Sequence, residues 1–206
     1  MRLREELRQK ALDELKAHAV LMVDGHFDYG NGYHGRVYLN PHRIFCQPSL
    51  IWRFAQDLIQ VLPHKTVTAT EVVVGPVLGG ALLAHTMAGL IDGHRALTRP
   101  ATAFAPVSAD RAGGLVLRPF YRGVIGGKRV LLADDVRNTG KTFERAKALV
   151  EEAGGEVIAT VELCDRLEAI VDLGVPNIAL TEYRAPENHP AADCPLCQAG
   201  EPITTF

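Results

Sequence analysis

Apolar positions in the opening segment, Leu3, Leu7, Leu12 and Leu15, recur at helical spacing among charged neighbours and predict an amphipathic helix. Residues 24–42 are rich in Gly, Tyr, Asn and His and are closed by Pro41, a loop-and-hairpin pattern. Ile51 to Leu62 is again helical in period and is stopped by Pro63. The pattern then changes. Val72-Val73-Val74 is a β-branched run ending in Gly75-Pro76, and Gly79-Gly80 leads into a helical stretch, Ala81 to Leu90. Ala101 to Val107 and Leu115 to Phe120 are predicted strands flanking a Gly-containing turn at Ala109 to Gly114. Arg129 to Ala133 is a nearly unbroken apolar run, as a strand covered on both faces requires. Phe143 to Ala153 reads as a helix ended by Gly154-Gly155. Glu156 to Leu163 and Asn177 to Glu182 read as strands, with a short helix at Leu167 to Leu173 between them. This alternation predicts an α/β fold, with a mainly parallel central sheet flanked by helices.

The chain of 206 residues fits a single domain, 1–206. Its 47% hydrophobic and 22% charged residues are those of an ordinary globular protein. A formal charge of -2 excludes broad attraction to nucleic acid or to an anionic membrane, so any bound anion must be held by local geometry. Met1 to Glu6 lacks the apolar core of a signal peptide, and no apolar run approaches the roughly 18 residues of a membrane span. Cys46, Cys164, Cys194 and Cys197 are too few and too scattered for a disulfide framework. The expectation is a cytoplasmic protein with reduced thiols.

The chemistry concentrates after the strand at 129–133. Ligands of open parallel sheets bind beyond the carboxyl ends of strands, which is where Arg137 to Thr142 falls. Backbone N–H groups there, with the hydroxyls of Thr139 and Thr142, can converge on a phosphate at a helix N-terminus. Gly140 leaves room for a close approach. Asp134 and Asp135 would repel that phosphate and need another partner, either vicinal hydroxyls or hydrated magnesium. Hydroxyls and phosphate one sugar ring apart describe ribose 5-phosphate. The P-loop alternative fails, because its first glycine would fall at Asp135. Simple helix capping by the aspartates is outweighed by the combination of apolar run, two acids and Thr-Gly-x-Thr. The dinucleotide fingerprint is absent.

Val130 to Thr142 resembles the phosphoribosyl pyrophosphate (PRPP) signature of type I phosphoribosyltransferases. The resemblance implies that Asp134 and Asp135 face the ribose hydroxyls and that Arg137, Asn138, Thr139, Gly140, Lys141 and Thr142 cradle the 5-phosphate. It also implies a small hood over the site, use of Mg2+, and PRPP and a nucleobase as substrates. Gly25-His26-Phe27, Gly32, His34, Tyr38 to Pro41 and Pro48 resemble the hood of the orotate phosphoribosyltransferases. Gly75, Pro76, Val77 and Gly79 match that family's pyrophosphate loop, and Cys164-Asp165-Arg166 resembles its Asp-Arg pair. By this likeness Phe27 and Arg166 serve the base, foremost orotate, which would become orotidine 5-phosphate. The hood would lie mainly at 20–45, the core at 65–185 and a tail at 186–206, in a homodimer that shares a mobile lid. The lid corresponds to Ala105 to Leu117, which holds Arg111, a catalytic candidate against pyrophosphate, but no lysine. Asn31 and Gly35 stand where the orotate pattern has serines. These departures keep two alternatives open: a transferase for another base, and a non-catalytic PRPP-binding regulator.

The tail carries Cys194-Pro195-Leu196-Cys197, half of a zinc site. His189 and Cys46, or a second subunit, are candidates to complete it; redox chemistry and an ordinary tail are the other readings. His26 and His34 lack metal-ligand spacing and read as turn residues.

Overall fold

The computed structural model describes residues 2–30, 32–93, 100–110, 114–167, 171–184 and 188–205. In chain order, α1 (Arg2–Ala17) leads to four short strands, β1 (Leu21–Met22), β2 (Phe27–Asp28), β3 (Tyr33–Gly35) and β4 (Tyr38–Leu39). Helices α2 (His42–Phe45), α3 (Pro48–Val61) and α4 (His64–Ala69) follow, then β5 (Val72–Pro76), α5 (Gly79–Gly93), β6 (Ala103–Ala109), β7 (Leu115–Val116) and α6 (Pro119–Ile125). The second half contains β8 (Arg129–Arg137), α7 (Lys141–Glu152), β9 (Glu156–Asp165), β10 (Asn177–Glu182), β11 (His189–Pro190) and α8 (Pro195–Gln198).

The central sheet has the order β10-β9-β8-β5-β6-β7 and is parallel except for its last strand, β7, which runs antiparallel to β6. Its alternation of side chains divides the core in two. Val73, Leu131, Ala133, Val161 and Leu163 pack beneath α1, α3 and α5 with Leu15, Phe54, Leu58, Leu83 and Met87. Val72, Val74, Val130 and Leu132 face the other way, against Ile125, Phe143, Ala146 and Val150 from α6 and α7. In α1 the buried positions are Leu7, Ala11 and Leu15, one stripe at a spacing of four. Burial of each large core side chain, such as Phe54 or Phe143, contributes roughly 1.5–3 kcal/mol.

A small second layer forms the hood. β3 pairs antiparallel with β2 on one side and with β11 on the other, so the C-terminal tail is folded into the N-terminal hairpin. Thr204 bridges to Phe27, and β1 pairs with β4. No helix among the described residues is long and apolar enough to cross a membrane.

Three elements differ from the sequence pattern. β8 continues through both aspartates to Arg137, because its ladder with β9 persists through Asp134↔Glu162 and Arg137↔Asp165. Of the strand expected at Leu115 to Phe120 only Leu115–Val116 forms; Pro119 occupies the first turn of α6, where its missing N–H costs nothing. Leu167, at φ 55, and residues 171–173 are not helical, so the described part of the expected helix there is absent. Arg111, Asn31 and residues 168–170 lie outside the described residues.

Candidate active site

Two loops meet at the carboxyl ends of β5 and β8. The first leaves β5 at Gly75-Pro76, turns through Val77-Leu78, whose peptide is cis, and enters α5 at Gly79. A Cβ on Gly75 would strike the Gly80 backbone, and one on Gly79 would strike the Asp135 carboxylate and the Phe45 ring. A Cβ on Gly80 would come within 2.7 Å of Asp134 Oδ1 and 2.8 Å of the Ala133 carbonyl. These glycines let the first turn of α5 rest directly on the acidic pair. The Val77 amide donates to the Val107 carbonyl at 2.8 Å, and Pro76 has no N–H. The donors of this loop are therefore the first-turn amides of α5 (Gly79, Gly80 and Ala81), which have no partner within the helix. Pro76 and Val77 thus have no free backbone N–H to offer there.

Asp134 is buried and accepts the Asp135 amide at 2.9 Å, while half-buried Asp135 accepts the Val136 amide at 2.7 Å. Burial, reinforced by repulsion from Asp135, raises the Asp134 carboxyl well above the ordinary range, and burial raises Asp135 as well. Both acids are therefore poised to exchange hydrogen bonds with hydroxyls or to gain from a cation.

The second loop, Asn138 to Gly140, joins β8 to α7. With Lys141, Thr142, Asp134, Arg137 and neighbours it lines a cavity of about 100 Å³ at the helix N-terminus, the size of a small anion. Gly140 has φ 81, the left-handed region. A Cβ there would find only ordinary contact with Val171, so glycine is required by backbone conformation and not by steric room. The Arg137 guanidinium is buried and paired with buried Asp165 at 3.4 Å. Its side chain is thus anchored against the sheet while the residue still lines the edge of the cradle formed by Asn138 through Thr142.

Behind that pair lies Glu162 on β9, fully buried, accepting Asn177 Nδ2 at 2.7 Å while its second oxygen has no partner. Burial pushes its carboxyl up to about 7. Burial also pushes the neighbouring Cys164 thiol up to about 12, so it is no nucleophile.

A second cavity, about 430 Å³, opens beneath the hood. It is lined by Tyr29, Tyr33, Val37, Tyr38 and Leu39 from the hood, Asn188 from the tail, and Asn138 and Arg166 from the core. Asn138 borders both cavities, so phosphate cradle and hood pocket are contiguous. Arg166, a candidate for the base, lines this cavity. Phe27 does not: it is buried in β2 beneath Gly25 and beside the Tyr38 ring at 6.0 Å, so it is hood core. The residues the sequence reading missed are Tyr29 and Asn188, joined by a 3.0 Å hydrogen bond across the hood. Nothing local marks Asn188, since it reaches the pocket only through the β11–β3 pairing. Another cavity, about 500 Å³, sits at the amino ends of the strands near Glu71 and Arg129, remote from the acids.

The tail cysteines also find unexpected company. Cys194 and Cys197 lie against His26 and His34, while neither Cys46 nor His189 joins that group. His26 and His34 are buried, His34 within β3, and neither is a surface turn residue.

Fold, acids and cradle together define a phosphoribosyl-transferring α/β protein. The family model of the phosphoribosyl transferase domain matches residues 49–173, and the chain belongs to that family. The orotate phosphoribosyltransferase of Erythrobacter litoralis is 35% identical over 86% of this chain and 86% of its own length. That of Caldanaerobacter subterraneus is 32% identical over 87% and 86%. Among solved structures, the orotate phosphoribosyltransferase of Aeropyrum pernix has a TM-score of 0.64 at 20% identity, covering 82% of this chain and 92% of its own. The adenine phosphoribosyltransferase of Thermoanaerobacter pseudethanolicus has 0.61 at 17%, covering 84% and 99%, so the fold is shared across different bases.

Proposed function

We propose that this phosphoribosyltransferase transfers the 5-phosphoribosyl group of PRPP to orotate, giving orotidine 5-phosphate and pyrophosphate. The observation that carries the reading is the shared wall at Asn138, with an anion-sized cradle on one side and the Arg166 pocket on the other. A sugar phosphate seated in the cradle directs its anomeric carbon towards that pocket, and a guanidinium is the natural partner of the orotate carboxylate. The identities of 30–35% to curated orotate enzymes support the same acceptor.

In this reading the orotate ring nitrogen, its proton already lost to solvent, forms a bond to the anomeric carbon. The bond from that carbon to the diphosphate oxygen breaks, and the electron pair leaves with pyrophosphate. Asp134 and Asp135 hold the ribose hydroxyls, the amides at the start of α5 hold the diphosphate, and Asn138 to Thr142 hold the 5-phosphate. Holding the sugar at both ends fixes the reacting carbon, a large part of the rate advantage. Partly accessible Asp135, an oxygen donor facing the glycine turn, fits a hydrated Mg2+. Bound there with PRPP, Mg2+ would neutralise charge on the diphosphate.

A different acceptor base is the second reading, supported by the absence of lysine from residues 105–117. The test is pyrophosphate release from PRPP and Mg2+ with a panel of bases. Release with orotate is the expected result. Release only with another base selects the second reading, and PRPP binding without any release would mean a regulator.

A further inference from the structure

The side chains of His26, His34, Cys194 and Cys197 converge at the back of the hood, their ligand atoms all within 4.8 Å of one another. His26 Nε2 and His34 Nδ1 are 3.3 Å apart, and Cys194 Sγ and Cys197 Sγ each lie 3.6 Å from His26 Nε2. Cys197 Sγ is 3.3 Å from His34 Nδ1. In a tetrahedron with zinc–sulfur bonds of about 2.3 Å and zinc–nitrogen bonds of about 2.0–2.1 Å, nitrogen–nitrogen edges are about 3.3 Å and sulfur–nitrogen edges about 3.6 Å. The nitrogen–nitrogen edge and both sulfur edges to His26 already have these dimensions, and the Cys197–His34 edge is shorter by a few tenths of an ångström.

The surroundings prepare both imidazoles as ligands. His26 Nδ1 lies 2.9 Å from the Glu201 carbonyl, a group that can only accept. The proton is therefore fixed on Nδ1, and the Nε2 lone pair is aimed into the cluster. His34 presents Nδ1 to the cluster and Nε2 towards Asp28 Oδ1 at 3.9 Å. A carbonyl behind one histidine and a carboxylate behind the other is the outer-shell arrangement that orients metal-bound imidazole. His26, His34 and Cys194 are buried and Cys197 is exposed, and four protein ligands leave a tetrahedral ion no open position for substrate.

We propose that these four residues bind one zinc ion as a closed structural site that clasps the C-terminal tail to the hood. Two thiolates with two imidazoles select zinc over the oxygen-seeking Mg2+ of the active centre. The clasp joins segments 168 positions apart in sequence. It is needed because the strands it joins are too short to hold alone: β11 meets β3 through two residue pairs, His189↔His34 and Pro190↔Tyr33. A sheet this small has little core beyond Phe27 and is stabilised by a staple. Tyr29 and Asn188, the walls the zinc holds together, line the hood pocket. A consequence for base binding therefore rests on the reading of that pocket as the acceptor site, while zinc binding does not.

Metal analysis of the chain purified without added metal decides the matter. One zinc per chain is expected, with X-ray absorption showing two sulfur and two nitrogen neighbours. The apo protein should bind Co2+ with thiolate charge-transfer bands and tetrahedral ligand-field absorption. Cys194→Ser with Cys197→Ser should lose the metal, whereas Cys46→Ser and His189→Ala should keep it. Absence of zinc together with no cobalt spectrum, a Cys194–Cys197 disulfide in the freshly purified chain, or an absorption spectrum lacking sulfur neighbours would each overturn the proposal. Chelation should increase amide exchange across residues 26–36 and 188–204 while leaving β5 and β8 protected; equal exposure throughout would refute the clasp. If zinc is present but orotate is not an acceptor, the metal site stands and the reading of the base falls.

Discussion

The Asp135 carboxylate occupies the space that a side chain on Gly79 would fill. This contact couples the two halves of the centre: the turn to which we assign the diphosphate and the strand end to which we assign the sugar are in register only while residue 79 has no Cβ. The Phe45 ring closes the same space from the α2 side, so a methyl group has nowhere to go.

Gly79→Ala is therefore expected to leave the fold intact and to impair PRPP use. Overpacking of this kind costs about 1–3 kcal/mol, or ~5–160-fold in kcat/KM for PRPP. Steady-state kinetics beside circular dichroism check it; unchanged kinetics would show that the two loops move independently.

Gly140→Ala acts through the backbone, not through contact. Holding a residue with a Cβ at φ 81 costs about 1–2 kcal/mol. The cradle should relax away from its phosphate-binding shape, weakening affinity for PRPP and for ribose 5-phosphate alike in calorimetry. A Gly140→Asn variant, better tolerated in the left-handed region, should recover part of the loss.

Arg166→Ala separates the two substrates. A charged hydrogen-bonded partner contributes about 1.5–3 kcal/mol, so KM for orotate should rise ~10–100-fold with KM for PRPP little changed. Equal effects on both constants would remove Arg166 from the base pocket.

Glu162 gives stability a pH dependence of definite sign. Its carboxyl, ordinarily near 4.5, is raised to about 7 in the folded chain. Below 4.5 it is neutral folded and unfolded alike; between 4.5 and about 7 the unfolded chain sheds the proton more readily, so this group lowers stability as pH rises. The full effect is of order 3 kcal/mol at most. Glu162→Gln should therefore melt higher than the parent at pH 8 and nearly level with it at pH 4. An advantage at pH 4 that disappears at pH 8 would reverse the assignment.

Much of this was legible from residue order. Contiguous signals survived: the apolar run of β8, the acids after it, Thr-Gly-x-Thr opening α7, and Gly79-Gly80 opening α5. Each is a local requirement, set by strand burial, backbone conformation or the unpaired amides at a helix start, and needs no knowledge of distant chain. Where an element ends was harder to read, because neighbouring strands decide it: the ladder from β9 carried β8 past its apolar residues.

Residue order alone determined the α/β alternation and the acid-and-threonine corner between Ala133 and Phe143 that we assign to a sugar phosphate, since hydrophobic period and turn chemistry are written within a few successive positions. Tertiary structure decided the partnerships: Arg137 with Asp165, Phe27 within the hood core, Asn188 beside Tyr29, and two hood histidines with two tail cysteines. Periodicity records that a face must be covered but carries no address for the segment that covers it. Those choices were made only when the packed sheet brought both ends of the chain to the same hood.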